Sequence, residues 1–211
     1  MTKISPELHT ESAFSFVGGH HCLDFVNTEV MRQGERLELL PSADQFVAWL
    51  SAANLLTPDA AEQAHQFLKQ PEDGATILTW VRVFRWQLRM MLDQIILGET
   101  VAPAIVAEIN RWLAFQGGRL QLVQPAHGFC LQWQAAPSAP AHLLVPVAVV
   151  AADLLAEHDL TLIKRCDNPQ CIRYFYDATK NHSRRWCSMD TCGNRMKVAA
   201  YYRRKRQEEH E

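Results

Sequence analysis

From residue 42 to residue 115, apolar side chains return every three to four positions, the period of helices with one buried face. Ser42 and Gln45 form a capping box, and Phe46, Trp49 and Leu50 follow at helical spacing, so a helix starts there. Thr57-Pro58, a cap followed by proline at the first helical position, opens a second helix. Ile77, Val81, Phe84, Leu88 and Met91 make the inner stripe of a long helix over about 75–97, which Gly98 ends. A further helix covers 102–115. The period then falls to two. Residues 118–134, "GRLQLVQPAHGFCLQWQ", alternate in two runs about Pro125–Gly128, which predicts a β-hairpin. Helical spacing returns over 141–158. Ahead of all these, residues 14–30 read as a turn at Gly18-Gly19 entering a buried segment. The pattern predicts a mainly α domain with a small β-hairpin, an α+β fold, over 1–159. A small module follows over 160–211, built on two cysteine pairs and ending in a basic helix.

At 211 residues and 48% hydrophobic, the chain can bury a core without covalent staples. Its first residues lack the apolar run of a signal peptide. The most apolar stretch, "APAHLLVPVAVVAADLLA", is short for a membrane span and contains Pro146 and Asp153. The expectation is a cytoplasmic protein with no membrane partner.

Charge divides the chain. The formal net charge of −2 hides a balance of −8 over 1–159 and +9 over 160–206, with three acids in the closing "QEEHE". Two modules with different partners follow from that split.

Four of the six cysteines stand in the basic module, as Cys166/Cys171 and Cys187/Cys192. Each pair encloses four residues, and fifteen separate the pairs. In a reducing compartment such clusters are metal ligands more often than disulfides. Four thiolates suit one structural Zn²⁺ and leave no open position for a reactive water. Pro169 and Gly193 supply turns that let the cysteines converge, and His182 could stand in for one cysteine as a ligand.

The stretch "CDNPQCIRYFYDATKNHSRRWCSMDTCGNRMKV" resembles the CGNR zinc finger, named for the motif that stands here as Cys192-Gly193-Asn194-Arg195. The four cysteines, "FYD" and "RRWC" carry the same likeness. Upstream, "LDFVNT" (23–28), "WL" (49–50) and "VRVFRWQLR" are similar to the ABATE domain that precedes this finger. The resemblance implies a bacterial, DNA-binding, stress-linked transcription regulator.

The residues of the module agree with it. Arg184, Arg185, Arg195, Lys197, Arg203, Arg204, Lys205 and Arg206 are dense enough to neutralise several phosphates of duplex DNA. Arg and Asn side chains also read guanine and adenine edges, so Asn194 and Arg195 either meet bases or support the last cysteine loop. Phe175 and Trp186 are expected in a mini-core around the metal, and Asp177 as a partner of Arg184 or Arg185.

In the larger domain Asp24 and Asn27 sit in an apolar segment beside His20, His21 and Cys22, either as a ligand or metal pocket or as a satisfied polar pair. Arg82, Arg85 and Arg89 recur at helical spacing, as a solvated face or an anion-binding wall. His20, Asp24, Asn27, Arg85 and Arg89 are thus the candidate ligand-binding residues for a small-molecule effector. Trp80, Trp86, Trp112 and Trp133 are expected in the core or an interface. No phosphate-binding glycine loop or nucleophile motif is present. The reading is a DNA-binding regulator, not an enzyme, with an amino-terminal domain that senses a ligand or forms a homodimer. A zinc-stabilised RNA-binding or protein-interaction module is the alternative, and an enzyme with its site in the larger domain the third.

Overall fold

The computed structural model describes residues 14–115, 118–124 and 128–208. The expectations for the first residues, the hairpin turn at 125–127, the Trp133 side chain and the end of the acidic tail lie outside the described residues. The elements in order are α1 (His21–Val26), β1 (Glu29–Arg32), β2 (Glu35–Glu38), α2 (Ala43–Ala52), α3 (Pro58–Phe67), α4 (Pro71–Ile96), α5 (Pro103–Leu113), β3 (Gly118–Val123), β4 (Cys130–Ala135), α6 (Val145–Glu157), β5 (Ile163–Arg165), β6 (Tyr174–Tyr176) and α7 (Asn194–Glu208). The strands form three separate antiparallel hairpins, β1–β2, β3–β4 and β5–β6.

Local chemistry sets most boundaries. The Ser42 hydroxyl accepts the Gln45 N–H at 3.2 Å, and Thr57 accepts that of Ala60 at 3.3 Å. Helix α4 begins at Pro71, four residues before the expected start, because proline fills its first position and Glu72 and Asp73 complement its positive end. The expected helix over 141–158 opens as a tight 3₁₀ turn at 140–144 and becomes α-helical at Val145. Hairpin β1–β2 was not expected. Its turn residues Gln33 and Gly34 have φ of 54° and 88°, the paired left-handed conformation that matches strand twist.

The core gathers on α4, whose Ile77, Val81, Phe84, Leu88, Met91 and Leu92 are buried. Helices α1 and α2 pack on it, and α6 packs against α1 and α5. The stretch Pro140–Glu157 is long and apolar enough to cross a membrane, yet its Leu143, Leu144, Val147, Ala148, Ala151 and Leu154 all enter this core. Trp49 and Trp112 are buried, whereas Trp86 lies on the solvent side of α4.

Ile163 of β5 and Tyr174 of β6 belong to the same core. Strand β5 packs on α4 and β6 on α1. One core therefore crosses the composition boundary at residue 159 and fixes the cysteine loops against the helical body.

Candidate metal centre and nucleic-acid interface

The four sulfurs of Cys166, Cys171, Cys187 and Cys192 lie within 4.8 Å of one another. Cys171 Sγ is 3.8 Å and Cys192 Sγ 3.7 Å from Cys187 Sγ. A tetrahedral ion with metal–sulfur bonds of about 2.3 Å needs sulfurs about 3.8 Å apart, whereas a disulfide needs about 2.0 Å. All six cysteines are free thiols. The donor set and its spacing thus fit a closed thiolate site.

Hydrogen bonds aim the sulfurs. Cys187 N–H donates to Cys166 Sγ at 3.4 Å, and Asn168 Nδ2 donates to Cys192 Sγ at 3.3 Å. Asn168 is itself held by the Gln170 N–H at 3.1 Å. Sequence reasoning passed over Asn168, although an Asn-Pro pair inside the first cysteine loop is a turn signal. Thiol hydrogen bonds from Cys171 and Cys187 hold Cys166 down at about 2, and the same sharing pushes Cys171 up to about 11 and Cys187 upward. A divalent cation removes that competition, because it stabilises all four thiolates together.

Cys192 lies in a π-helical turn, Met189–Gly193, that runs into α7. Phe175 is fully buried against the cysteines, with Trp186 and Val17 packed alongside. His182 has φ 47° and its Nδ1 lies 3.0 Å from the Asp177 carbonyl, so its ring is turned to a local turn.

Asp177 is fully buried. It accepts from Lys164 Nζ at 2.6 Å, Thr179 Oγ1 at 2.5 Å and the Arg184 N–H at 2.9 Å. Burial pushes its carboxyl up, and these donors outweigh that and hold it below the usual range. The expected guanidinium partner is therefore replaced by the Arg184 backbone. The Arg185 guanidinium reaches Asp167 instead, at 2.6 Å.

The structure divides the basic residues. The Arg184 guanidinium donates to the carbonyls of Trp186 at 3.0 Å and Val17 at 3.0 Å and to that of Cys187, and it stacks 4.4 Å over Phe175. Expected at the nucleic-acid surface, it is committed to closing the metal loop. Its distance in sequence from Val17 hid that role. Arg195, Lys197, Arg203, Arg204, Lys205 and Arg206 all lie exposed along α7. Asn194 Nδ2 donates to the Asp190 carbonyl at 3.2 Å. Arg195 also lines a cleft of about 290 Å³ with Arg32, Arg173, Cys171 and Cys192.

The candidate ligand residues of the larger domain are engaged within the chain. Asp24 Oδ1 accepts the Gly18 N–H at 2.7 Å. Burial pushes Asp24 up to about 6, against the opposing pull of that bond and of Arg173. Asn27 bonds the Tyr174 backbone through its side-chain amide. Arg85 donates to Thr28 Oγ1 at 2.8 Å and pairs with Glu38. Arg89 donates to the carbonyls of Val26 at 3.0 Å and Ile172 at 3.2 Å, which ties the helical body to the first cysteine loop. Arg82 is exposed and 4.0 Å from Glu38. His20 is engaged as well: its Nε2 lies 3.1 Å from Asp153 Oδ2 and its ring stands edge-on to that of His158.

Two family models match the chain. One, ABATE, is described as "Putative stress-induced transcription regulator" and matches residues 19–158; the other is the CGNR zinc finger, over 163–205. The first spans 140 of the 211 residues. A search of curated proteins found no match.

Proposed function

The chain belongs to the ABATE family and carries a CGNR zinc finger, and on that premise we propose that it is a transcription regulator that binds duplex DNA through α7. Cys166, Cys171, Cys187 and Cys192 hold one structural Zn²⁺, which orders the loop from which α7 emerges. The observation that carries the reading is α7 itself. It starts just past the fourth cysteine, presents Arg195, Lys197, Arg203, Arg204 and Arg206 to solvent, and contains no acid before Glu208. A rigidly mounted cationic helix grips phosphates and can also meet base edges, which a mobile tail does not do.

The helical body senses a small molecule or pairs with a second copy. A groove of about 370 Å³ lined by His21, Leu55, Val149 and Val150 supports the first version. Val83, Trp86, Met90 and Leu97, an exposed apolar stripe on α4 and its end, support the second. The exposed Tyr201 and Tyr202, 5.5 Å apart, favour the alternative of stacking on single-stranded RNA.

Selection of genomic duplex fragments by the zinc-loaded full chain, with single-stranded RNA as competitor, tests the reading. Enrichment of one duplex sequence supports it. Equal or tighter binding of RNA, or no binding of either, overturns it.

A further inference from the structure

Among the described residues, one group of side chains outside the cysteine site brings three metal-binding atoms together. His20 Nε2 lies 3.1 Å and His158 Nε2 3.3 Å from the same oxygen, Asp153 Oδ2. All three donor atoms lie within 4.8 Å of one another. With metal–nitrogen and metal–oxygen bonds of about 2.0–2.1 Å, a tetrahedral ion needs donors about 3.3 Å apart. We propose that His20, Asp153 and His158 form a second metal site, for a divalent transition ion of the Zn²⁺ or Ni²⁺ class, with at least one position left open.

The donor set selects the ion. Two imidazoles and one carboxylate suit Zn²⁺, Ni²⁺ and Cu²⁺ rather than Mg²⁺ or Ca²⁺, which prefer oxygen shells. Its donors come from two elements. His20 precedes α1, Asp153 lies on α6, and His158 ends α6. The His20 side chain is 10% exposed and therefore preset, while Asp153 at 49% and His158 at 35% leave a path for the ion. The His158 ring also stands edge-on to Tyr176 of β6 at 5.5 Å, so the site lies where the helical body meets the finger. Asp153 lines the 370 Å³ groove together with His21, which gives the open position an apolar-walled space beside it.

Proton placement makes the site a competitor of the α1 cap. His20 Nδ1 accepts the Cys22 N–H at 3.2 Å, so the neutral ring carries its proton on Nε2 and donates it to Asp153. An ion at Nε2 displaces that proton to solvent. The ring stays neutral only by taking a proton from solvent at Nδ1, which ends the bond from Cys22. Occupancy thus exchanges one cap hydrogen bond for the ion.

The experiment is native mass spectrometry of the full chain, reduced and titrated with Zn²⁺, beside Co²⁺ titration followed by absorbance. Thiolate-to-cobalt charge transfer reports the cysteine site alone, so failure there is visible separately. The parent should take two ions, the second without added charge transfer. His158→Ala and the near-isosteric Asp153→Asn should weaken only the second, by about tenfold or more. His65→Ala, which removes a histidine paired with Asp44 elsewhere, should take two like the parent. One ion in the folded parent, or a second ion held equally by Asp153→Asn and the parent, overturns the proposal. If His158→Ala fails to fold, Asp153→Asn decides.

Discussion

The side-chain amide of Asn27 makes both backbone hydrogen bonds of Tyr174: Nδ2 donates to the carbonyl at 2.8 Å and Oδ1 accepts the N–H at 2.9 Å. An asparagine at the end of α1 thereby acts as a strand neighbour for β6, across 147 residues of chain. Asn27→Ala leaves two buried backbone groups without partners, at about 1–3 kcal/mol each. Urea unfolding should show a loss of about 2–6 kcal/mol. A value within about 0.5 kcal/mol of the parent would mean that water replaces the amide at no cost.

Two glycines separate backbone constraint from side-chain crowding. A Cβ at Gly18 would stand 2.8 Å from Asp24 Oδ1, 2.9 Å from Leu23 Cβ and 3.0 Å from the Asp24 nitrogen. None of these can move without disturbing α1. A Cβ at Gly193 would meet Met189 Sδ at 2.5 Å and the Trp186 ring at 3.4 Å, but Met189 is exposed and its unbranched side chain can swing aside. Gly18→Ala should therefore cost about 2 kcal/mol or more, and Gly193→Ala under about 1 kcal/mol. Paired thermal melts check the order, and its reversal would show Met189 to be pinned.

What the sequence made legible was local. Ser42 and Thr57 cap helices because the hydroxyl and its target lie three residues apart. The stripe Ile77 to Met91 needs only the helical period, and the cysteine pairs only their spacing. What stayed hidden depends on chain return. Asn27 and Tyr174, Arg184 and Val17, and His20 with Asp153 meet only once the fold exists. Short hairpins such as β1–β2 offer too few residues for a period to show. An arginine that closes a loop and one that binds phosphate look the same in a string, so Arg184 read like Arg203.

Asp24 makes stability depend on pH. Its folded value, raised by burial to about 6, lies above the ordinary 3.8. The native state therefore holds the proton more tightly, and the stability Asp24 contributes is complete below about 4 and lost as pH rises through about 6. Asp24→Asn keeps an acceptor for the Gly18 N–H and abolishes that loss. The variant should gain on the parent across this window, by up to about 3 kcal/mol. Burial lowers His20 and His21, whose contribution runs the other way, but they are common to both proteins and cancel in the difference. Urea unfolding at intervals from pH 4 to pH 7 measures it. A difference that stays flat with pH would place the Asp24 titration at its ordinary value.

Metal removal should reach beyond the finger. Ile163 and Tyr174 share the core of the helical body, so loops that lose their ion also loosen that core. Chelation under reducing conditions should lower the single thermal transition of the whole chain. Two transitions, the upper one unmoved by chelator, would show that the helical body melts by itself.

Two classes of arginine should fail differently. Arg184 donates to four carbonyls, those of Val17, Tyr176, Trp186 and Cys187, and covers Phe175, a fork that a lysine cannot reproduce. Arg184→Lys should therefore release metal faster and lower the melting temperature, and weaken DNA binding only through that damage. Arg203, Arg204 and Arg206 lie exposed on α7, well past the turn that carries Cys192. Their triple replacement by Ala should leave metal content and melting temperature near those of the parent. Binding to every duplex should fall together, and the slope of log K against log salt should become shallower by about 3, close to one for each phosphate that is no longer neutralised. Metal analysis, melting and DNA titration at several salt concentrations separate the outcomes. An unchanged salt slope in the triple variant, with metal and fold intact, would remove α7 from the binding surface.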